Sequence, residues 1–342
     1  MPPSYTPTQL TLFSLAAIVV LAVAWMSLPG RTPPIRVGSD PIARLFHVPV
    51  GGMDQALLIR GRDRANPVLL WLHGGPGAAQ IPVAHATTAA LEADFTVVHW
   101  DQRGAGLSNP FDFDSGSMSI EQFVSDAHAV TRLLQDMLEV DQLVLLGHSW
   151  GAMLGARLAA RHPEDYAAFI GVGLPVNTAR TVELALAWVK GRGHLPEARL
   201  ADFEEHARYV ELMQIVEEEG GGMGVPASRL VWMALRAREY ALMDYLRWLR
   251  GARRGSGPMW EEYRRQDLIS DIPVMPVPLY LISGAHDMNT PPQLSNAWLR
   301  MVEAPMGRQH IVFEHSGHAP FLTEPALFIQ TLRDIAAELA SR

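Results

Sequence analysis

Cysteine is absent from the 342 residues. That excludes disulfides, thiolate zinc sites and a cysteine nucleophile, and it leaves the redox compartment open. Charge is sparse and leans acidic: 28 Lys+Arg against 36 Asp+Glu give a net charge of −8, with a sequence pI near 5.9. A phosphate backbone does not suit such a chain, so no nucleic-acid partner is expected. Internal repeats are lacking, and low complexity is confined to the Glu/Gly run 217–222. Disorder, collagen-like repeats and coiled coil fit poorly with 48% hydrophobic residues, 28 Gly and 25 Pro. What is present is a globular chain long enough for one large domain or two modest ones.

Residues 1–30 carry no charged side chain, and 10–28 are apolar apart from Thr11, Ser14 and Ser27. As a helix this run would be about 28 Å long, close to the hydrocarbon core of a bilayer, and Pro29-Gly30 would end it. The reading is a membrane-spanning N-terminal helix over 1–30, followed by a linker over 31–44. A buried core helix is the weaker alternative, since every face is apolar. An exported protein with a signal peptide cut near Ala22-Val23-Ala24 is the other, although the basic stretch that opens such peptides is missing. Arg31, Arg36 and Arg44 follow the run and no Lys or Arg precedes it, which places the remainder on the cytoplasmic side of a cell membrane.

Beyond residue 40, short β-rich runs alternate with helical patterns, the signature of a mostly parallel sheet covered by helices on both faces. Strands are expected at 55–60, 68–73, 95–101, 142–147, 167–171, 277–283 and 310–314. Between two of them, 119–139 has helical spacing, and Ser119-Ile120-Glu121-Gln122 reads as a capping box. The alternation stops between about 175 and 272, where helical patterns continue without strands. The expected organisation is an α/β core over 45–175 and 272–342 with an inserted helical lid over 176–271. Within the lid, Arg247, Arg250, Arg253 and Arg254 around Trp248 read as a solvated helix face, and the Glu/Gly run as a solvated helix end.

Gly147-His148-Ser149-Trp150-Gly151 follows the apolar strand 143–146 and precedes a helical run over 152–161. In a G-x-S-x-G elbow the serine occupies a strained strand-to-helix turn, and the glycines let the chain fold tightly around it. The helix that follows aims its N-terminus at the same point and favours negative charge there. A serine hydroxyl needs a base to take its proton, and the base needs an orienting acid. Asp287 follows the strand 277–283 and His318 the strand 310–314, so Ser149, Asp287 and His318 stand in the order such elbows require. His315 reads as structural and His148 as packing beside the elbow. His315 and His318 lack a third ligand at usual spacing, so neither a metal nor a cofactor is expected. His73-Gly74-Gly75-Pro76-Gly77 ends another strand, where a Gly-rich loop lets a backbone N–H approach a developing oxyanion. Gly75 and Trp150 are the expected donors.

Together, HGGPG at 73–77, WDQRGAGLS at 100–108, GHSWG at 147–151 and the late Asp287 and His318 resemble the proline iminopeptidase branch of the α/β-hydrolase superfamily. The resemblance covers about 45–175 and 272–335, and the lid agrees only in position and helical character. It implies an α/β-hydrolase fold and an acyl-enzyme on Ser149. It also implies release of an N-terminal residue such as proline from a short peptide or amide, with lid acids holding the substrate's α-amino group. Glu204, Glu205 and Glu239 are the candidates for those acids. A membrane-proximal carboxylesterase or lipid-acyl hydrolase is the alternative, for which His148 and the Arg-rich lid face are natural. A non-catalytic pseudohydrolase is disfavoured by the complete set of site residues. The oligomeric state is left open.

Overall fold

The computed structural model describes residues 5–26, 28–193 and 206–342. In chain order the strands are β1 (Ile42–Val50), β2 (Met53–Gly61), β3 (Val68–Leu72), β4 (Thr96–Asp101), β5 (Leu143–His148), β6 (Tyr166–Val172), β7 (Leu279–Gly284) and β8 (Arg308–Phe313). They form one sheet in the order β1-β2-β4-β3-β5-β6-β7-β8. The pairs β1/β2 and β2/β4 are antiparallel and every other pair is parallel. The strands β3, β5 and β7 are buried along their whole length, which explains their unbroken apolar sequences: a parallel sheet is covered on both faces.

The edge strand β1 is a different case. Its residues alternate in exposure, and Pro49 costs it little because an edge strand has a side with no ladder to serve. It is absent from the strands expected from sequence.

The helices in chain order are α1 (Pro7–Met26), α2 (Ala84–Thr87), α3 (Ile120–Leu138), α4 (Trp150–Arg161), α5 (Thr178–Gly191), α6 (His206–Glu218), α7 (Ala227–Ala234), α8 (Leu242–Arg254), α9 (Trp260–Tyr263), α10 (Leu268–Asp271), α11 (Pro292–Met301), α12 (Pro320–Thr323) and α13 (Pro325–Ala340); α1 packs on neither face, and its described residues are exposed. Ser119 caps α3 by accepting from the Gln122 N–H at 3.1 Å, but Gln122 turns its own amide to Asp126, so only half of the capping box forms. Phe123, Val130 and Leu134 then lie on the buried side of α3, in a core with Trp100, Trp150 and Trp298. A second core on the opposite face gathers Trp71, Phe313, Phe321 and Phe328.

The helices α5–α10 stand between β6 and β7. The two ends of this insert are stitched together by an antiparallel bridge, Asn177 to Asp267, and by Leu268 N–H donating to Val176 O at 2.8 Å. Its Arg face is not simply solvated. Arg247 and Arg250 each lie 5.3 Å from the Phe111 ring centroid, Arg250 also donates to Phe111 O at 3.1 Å, and Arg254 donates to Gly104 O at 2.9 Å and lies 4.7 Å from the Phe113 ring centroid. Thus α8 is latched to the 104–113 loop by guanidinium–aromatic stacking.

The expected bilayer-spanning segment over 10–28 is not supported. Among the described residues no helix is long and apolar enough to cross a membrane. The helix α1 ends at Met26, with Pro7, Thr8 and Gln9 in its first turn. Leu28, expected inside the span, lies beyond the helix and faces a cleft against the lid.

Candidate active site

Ser149 stands between β5 and α4 with φ 54° and ψ −122°, a conformation L-residues rarely adopt, as expected of an elbow. The flanking glycines are needed for space: a Cβ on Gly147 would lie 2.2 Å from Gly151 O, and one on Gly151 would lie 2.1 Å from Leu72 O. The Ser149 N–H donates to Val172 O at 2.8 Å, which fixes the elbow to the end of β6.

Asp287 and His318 meet behind it. His318 Nδ1–H donates to Asp287 Oδ2 at 2.8 Å, and both side chains are buried. Thr290 completes the carboxylate's partners, its hydroxyl donating to Oδ2 at 2.6 Å and its N–H to Oδ1 at 2.9 Å. His318 packs beside the elbow, with its ring centroid 4.8 Å from that of His148. Among the described residues Ser149 makes no hydrogen bond to His318; such bonds are often long before a substrate binds.

His148 has a definite task. Its Nε2–H donates to His318 O at 2.9 Å, and its ring meets Phe321 edge-on. Burial and the neighbouring His318 push its pKa down to about 3, so it is a neutral donor. His315, by contrast, is exposed.

The 73–77 loop is held by side chains on either side. The Gln102 N–H donates to His73 Nε2 at 3.1 Å, so His73 Nδ1 carries the proton and donates to Gly74 O at 2.7 Å. Gln102 Nε2 donates to His73 O at 3.0 Å, while its Oε1 accepts from the Trp150 indole N–H at 2.9 Å. One glutamine therefore ties the loop of Gly75 to the first residue of α4. Burial lowers the His73 pKa to about 4, which keeps this pattern intact at neutral pH.

The lid also reaches these loops. Gly221 O accepts from the Met288 N–H and Gly222 O from the His318 N–H, both at 2.8 Å. The Glu/Gly run is thus a docking point beside Asp287 and His318, not a solvated helix end. Neither this role nor those of Gln102 and Thr290 was assigned from sequence. Thr290 alone had a local signal, standing three residues after Asp287 as in an Asx-type turn.

The lid acids fare differently. Glu204 and Glu205 lie outside the described residues. Glu239 is fully buried, with Oε2 accepting from the Arg238 N–H at 3.1 Å and standing 3.3 Å from His85 Nε2. No described contact joins it to Ser149 or His318. Its neighbour Tyr240 pins the lid to the sheet, donating to Asp101 Oδ2 at 2.6 Å, and burial raises the Asp101 pKa to about 7.

Comparison with known proteins agrees with this architecture. A model of the alpha/beta hydrolase family matches residues 68–331. A probable aminopeptidase YbaC of Bacillus subtilis (strain 168) is 31% identical over 304 residues, spanning 85% of this chain and 95% of that protein. A probable proline iminopeptidase of Streptomyces coelicolor is 33% identical over 155 residues, covering 43% of this chain and 45% of that one. Among solved structures, the proline iminopeptidase of Mycobacterium smegmatis superposes with a TM-score of 0.64 at 23% identity, over 86% of this chain and 98% of its own. With the elbow, the sheet order and the family match in agreement, the chain belongs to the alpha/beta hydrolase family.

Proposed function

We propose that the protein is a serine hydrolase of the proline iminopeptidase type, acting on the N-terminal residue of short peptides or amides. The observation that carries the proposal is the placement of the strained Ser149 beside a closed His318–Asp287 pair and under the 73–77 loop. Ser149 Oγ attacks the substrate carbonyl carbon as His318 Nε2 takes its proton, and Asp287 holds the imidazole by its Nδ1–H. The tetrahedral oxygen is met by the backbone N–H groups of Gly75 and Trp150. His318 passes the proton to the leaving amine, and water then hydrolyses the acyl-enzyme.

The acid that receives the α-amino group is assigned to Glu204 or Glu205 rather than Glu239, because the Glu239 carboxylate has no accessible surface and one oxygen already partnered. Proximity to a cell membrane belongs to the same proposal. It rests on the large exposed apolar side chains of α1, among them Leu15, Ile18, Val19, Val20 and Leu21, with the catalytic domain on the cytoplasmic side.

Fluorophosphonate labelling of the purified protein tests the nucleophile: the label should disappear in Ser149→Ala. Activity on a proline arylamide, compared with a short nitrophenyl ester, tests the substrate class. His318→Ala should lower kcat by several orders of magnitude, and His315→Ala should not. Labelling of Ser149→Ala, or equal losses at the two histidines, refutes the assignment. Sedimentation of the full-length chain with lipid vesicles tests the proximity to a membrane, which fails if the chain stays in the supernatant.

A further inference from the structure

At the far end of α4 from Ser149, three side chains from separate segments converge: His128 on α3, His162 just past the end of α4, and Asp165 just before β6. One nitrogen of each imidazole and a carboxylate oxygen all lie within 4.8 Å of one another. We propose that His128, His162 and Asp165 form a binding site for a divalent transition-metal ion of the zinc, cobalt or nickel class.

The carboxylate carries the argument. Asp165 is 2% exposed, yet its two oxygens are treated unequally. Oδ1 accepts from Arg132 and from Gln135, each at 3.1 Å. Oδ2 is buried with no hydrogen-bond partner, and His128 Nε2 stands 3.2 Å from it. A buried carboxylate oxygen left without a donor costs free energy, and a cation coordinated there would recover it. The arrangement is that of a liganding carboxylate whose second oxygen is held in place by outer partners.

The histidines supply the other donors and the route in. Their rings are stacked with centroids 3.7 Å apart and planes 10° from parallel, and both are part exposed, so an ion can enter from solvent. A tetrahedral zinc ion with bonds of about 2.0–2.1 Å sets its donor atoms roughly 3.3 Å apart. Binding therefore requires the stacked rings to swing until their lone pairs converge, closing the widest gap by about 1.5 Å.

Two further features favour a cation. The last carbonyls of α4 lie at the negative end of its dipole, next to His162. Glu164 Oε1 is 4.0 Å from His162 Nδ1 and can serve as a fourth ligand. The charges opposing the ion are Arg132, already committed to Oδ1, and Arg161 beside His162, which is paired with Glu121 at 2.6 Å. Imidazole with carboxylate and no thiolate suits zinc, cobalt or nickel better than copper(I) or magnesium. The site lies about 18 Å from Ser149, the length of the twelve-residue helix between them, so its ion would staple α3, α4 and β6 rather than join the chemistry.

The test uses the full-length protein after dialysis against EDTA. Calorimetric titration with Zn²⁺ should show one ion per chain, with binding weakened at least tenfold in His128→Gln, similarly in His162→Gln, and abolished in the double variant. His315→Gln, at an exposed histidine outside the cluster, should bind as the parent does. Both replaced histidines are part exposed, and circular dichroism checks that the variants fold. Titration with Co²⁺ supplies a second readout: the parent should develop the visible absorption of tetrahedral cobalt, and the double variant should not. Absence of binding at millimolar Zn²⁺, or binding that persists in the folded double variant, overturns the proposal.

Discussion

Replacing Gln102 with leucine is the sharpest test of how the site is held. The change removes an acceptor for the Trp150 indole N–H and a donor to His73 O, and it leaves both groups buried without partners. At about 1–3 kcal/mol for each orphaned group, the loss is about 2–6 kcal/mol, a large part of the roughly 5–15 kcal/mol that holds a domain together. Urea unfolding followed by tryptophan fluorescence measures it directly. The loop of Gly75 and the start of α4 are the two elements the glutamine joins, so kcat should fall while KM changes little. Loss of one oxyanion donor costs about 10²–10³ in kcat, and displacement of one should cost some ten- to hundredfold. Gln102→Glu tests the same two bonds with a different chemistry, since an ionised carboxylate accepts from the indole but repels His73 O and is costly to bury. It should lower kcat about as far as leucine does and reduce stability at least as much. An unchanged kcat in both variants, with stability reduced, would refute the idea that this residue positions the loop.

Two more outcomes follow from the same geometry. His73, His99 and His148 are held neutral, mainly by burial, with pKa values lowered to about 4, 3 and 3, whereas Asp101 is raised to about 7. The histidines take up protons only on unfolding once the pH drops below about 6.5, which removes stability, while Asp101 is protonated first in the folded chain and returns some. The net is about two protons bound on unfolding, so stability should fall by about 3 kcal/mol per pH unit between pH 6 and 4; a flat profile in denaturant titrations at pH 6, 5 and 4 would contradict this. Phe111→Ala should loosen the latch on α8 by about 1–2 kcal/mol, the worth of two exposed cation–π contacts. Hydrogen exchange should then quicken in α8 and not in β5, and equal rates in α8 before and after would count against the latch.

Most of the sheet is legible in the sequence because its parallel strands are unbroken apolar runs between turn signals. The strand β1 escapes because an edge strand shows only a partial alternation and here contains Pro49. The elbow and the late Asp287 and His318 are visible as motifs, since a strained turn demands particular residues at fixed spacing. What ties them together is not visible: Gln102 to Trp150, Gly222 to His318, and Arg254 to Gly104 are contacts between distant segments, several made by backbone carbonyls that any residue could supply. Glu239 shows the opposite failure, because residue type suggested an amine-binding acid and only the packing reveals that it is fully enclosed. The His128, His162 and Asp165 cluster has no sequence signature either, since its members come from three segments.

The peptide leading into β1 is built into the lid. The Arg31 N–H donates to Arg238 O at 2.7 Å, Arg60 donates to Thr32 Oγ1 at 2.5 Å and to Pro33 O at 2.7 Å, and a Cβ on Gly30 would lie 1.7 Å from Glu239 O. Beside it, a cavity of about 440 Å³ is walled by Leu28, Pro29 and Pro33 on one side and by Leu235, Tyr240 and Tyr245 on the other. The entry peptide therefore behaves as a splint, not a slack leash: a pull or tilt on α1 is delivered to the 235–245 segment that carries Tyr240, and through Tyr240 to Asp101 at the end of β4. Removing residues 1–34 would strip this splint and leave the lid with one wall of its cavity missing, so a shortened chain would differ from the full one in how the 235–245 segment is held.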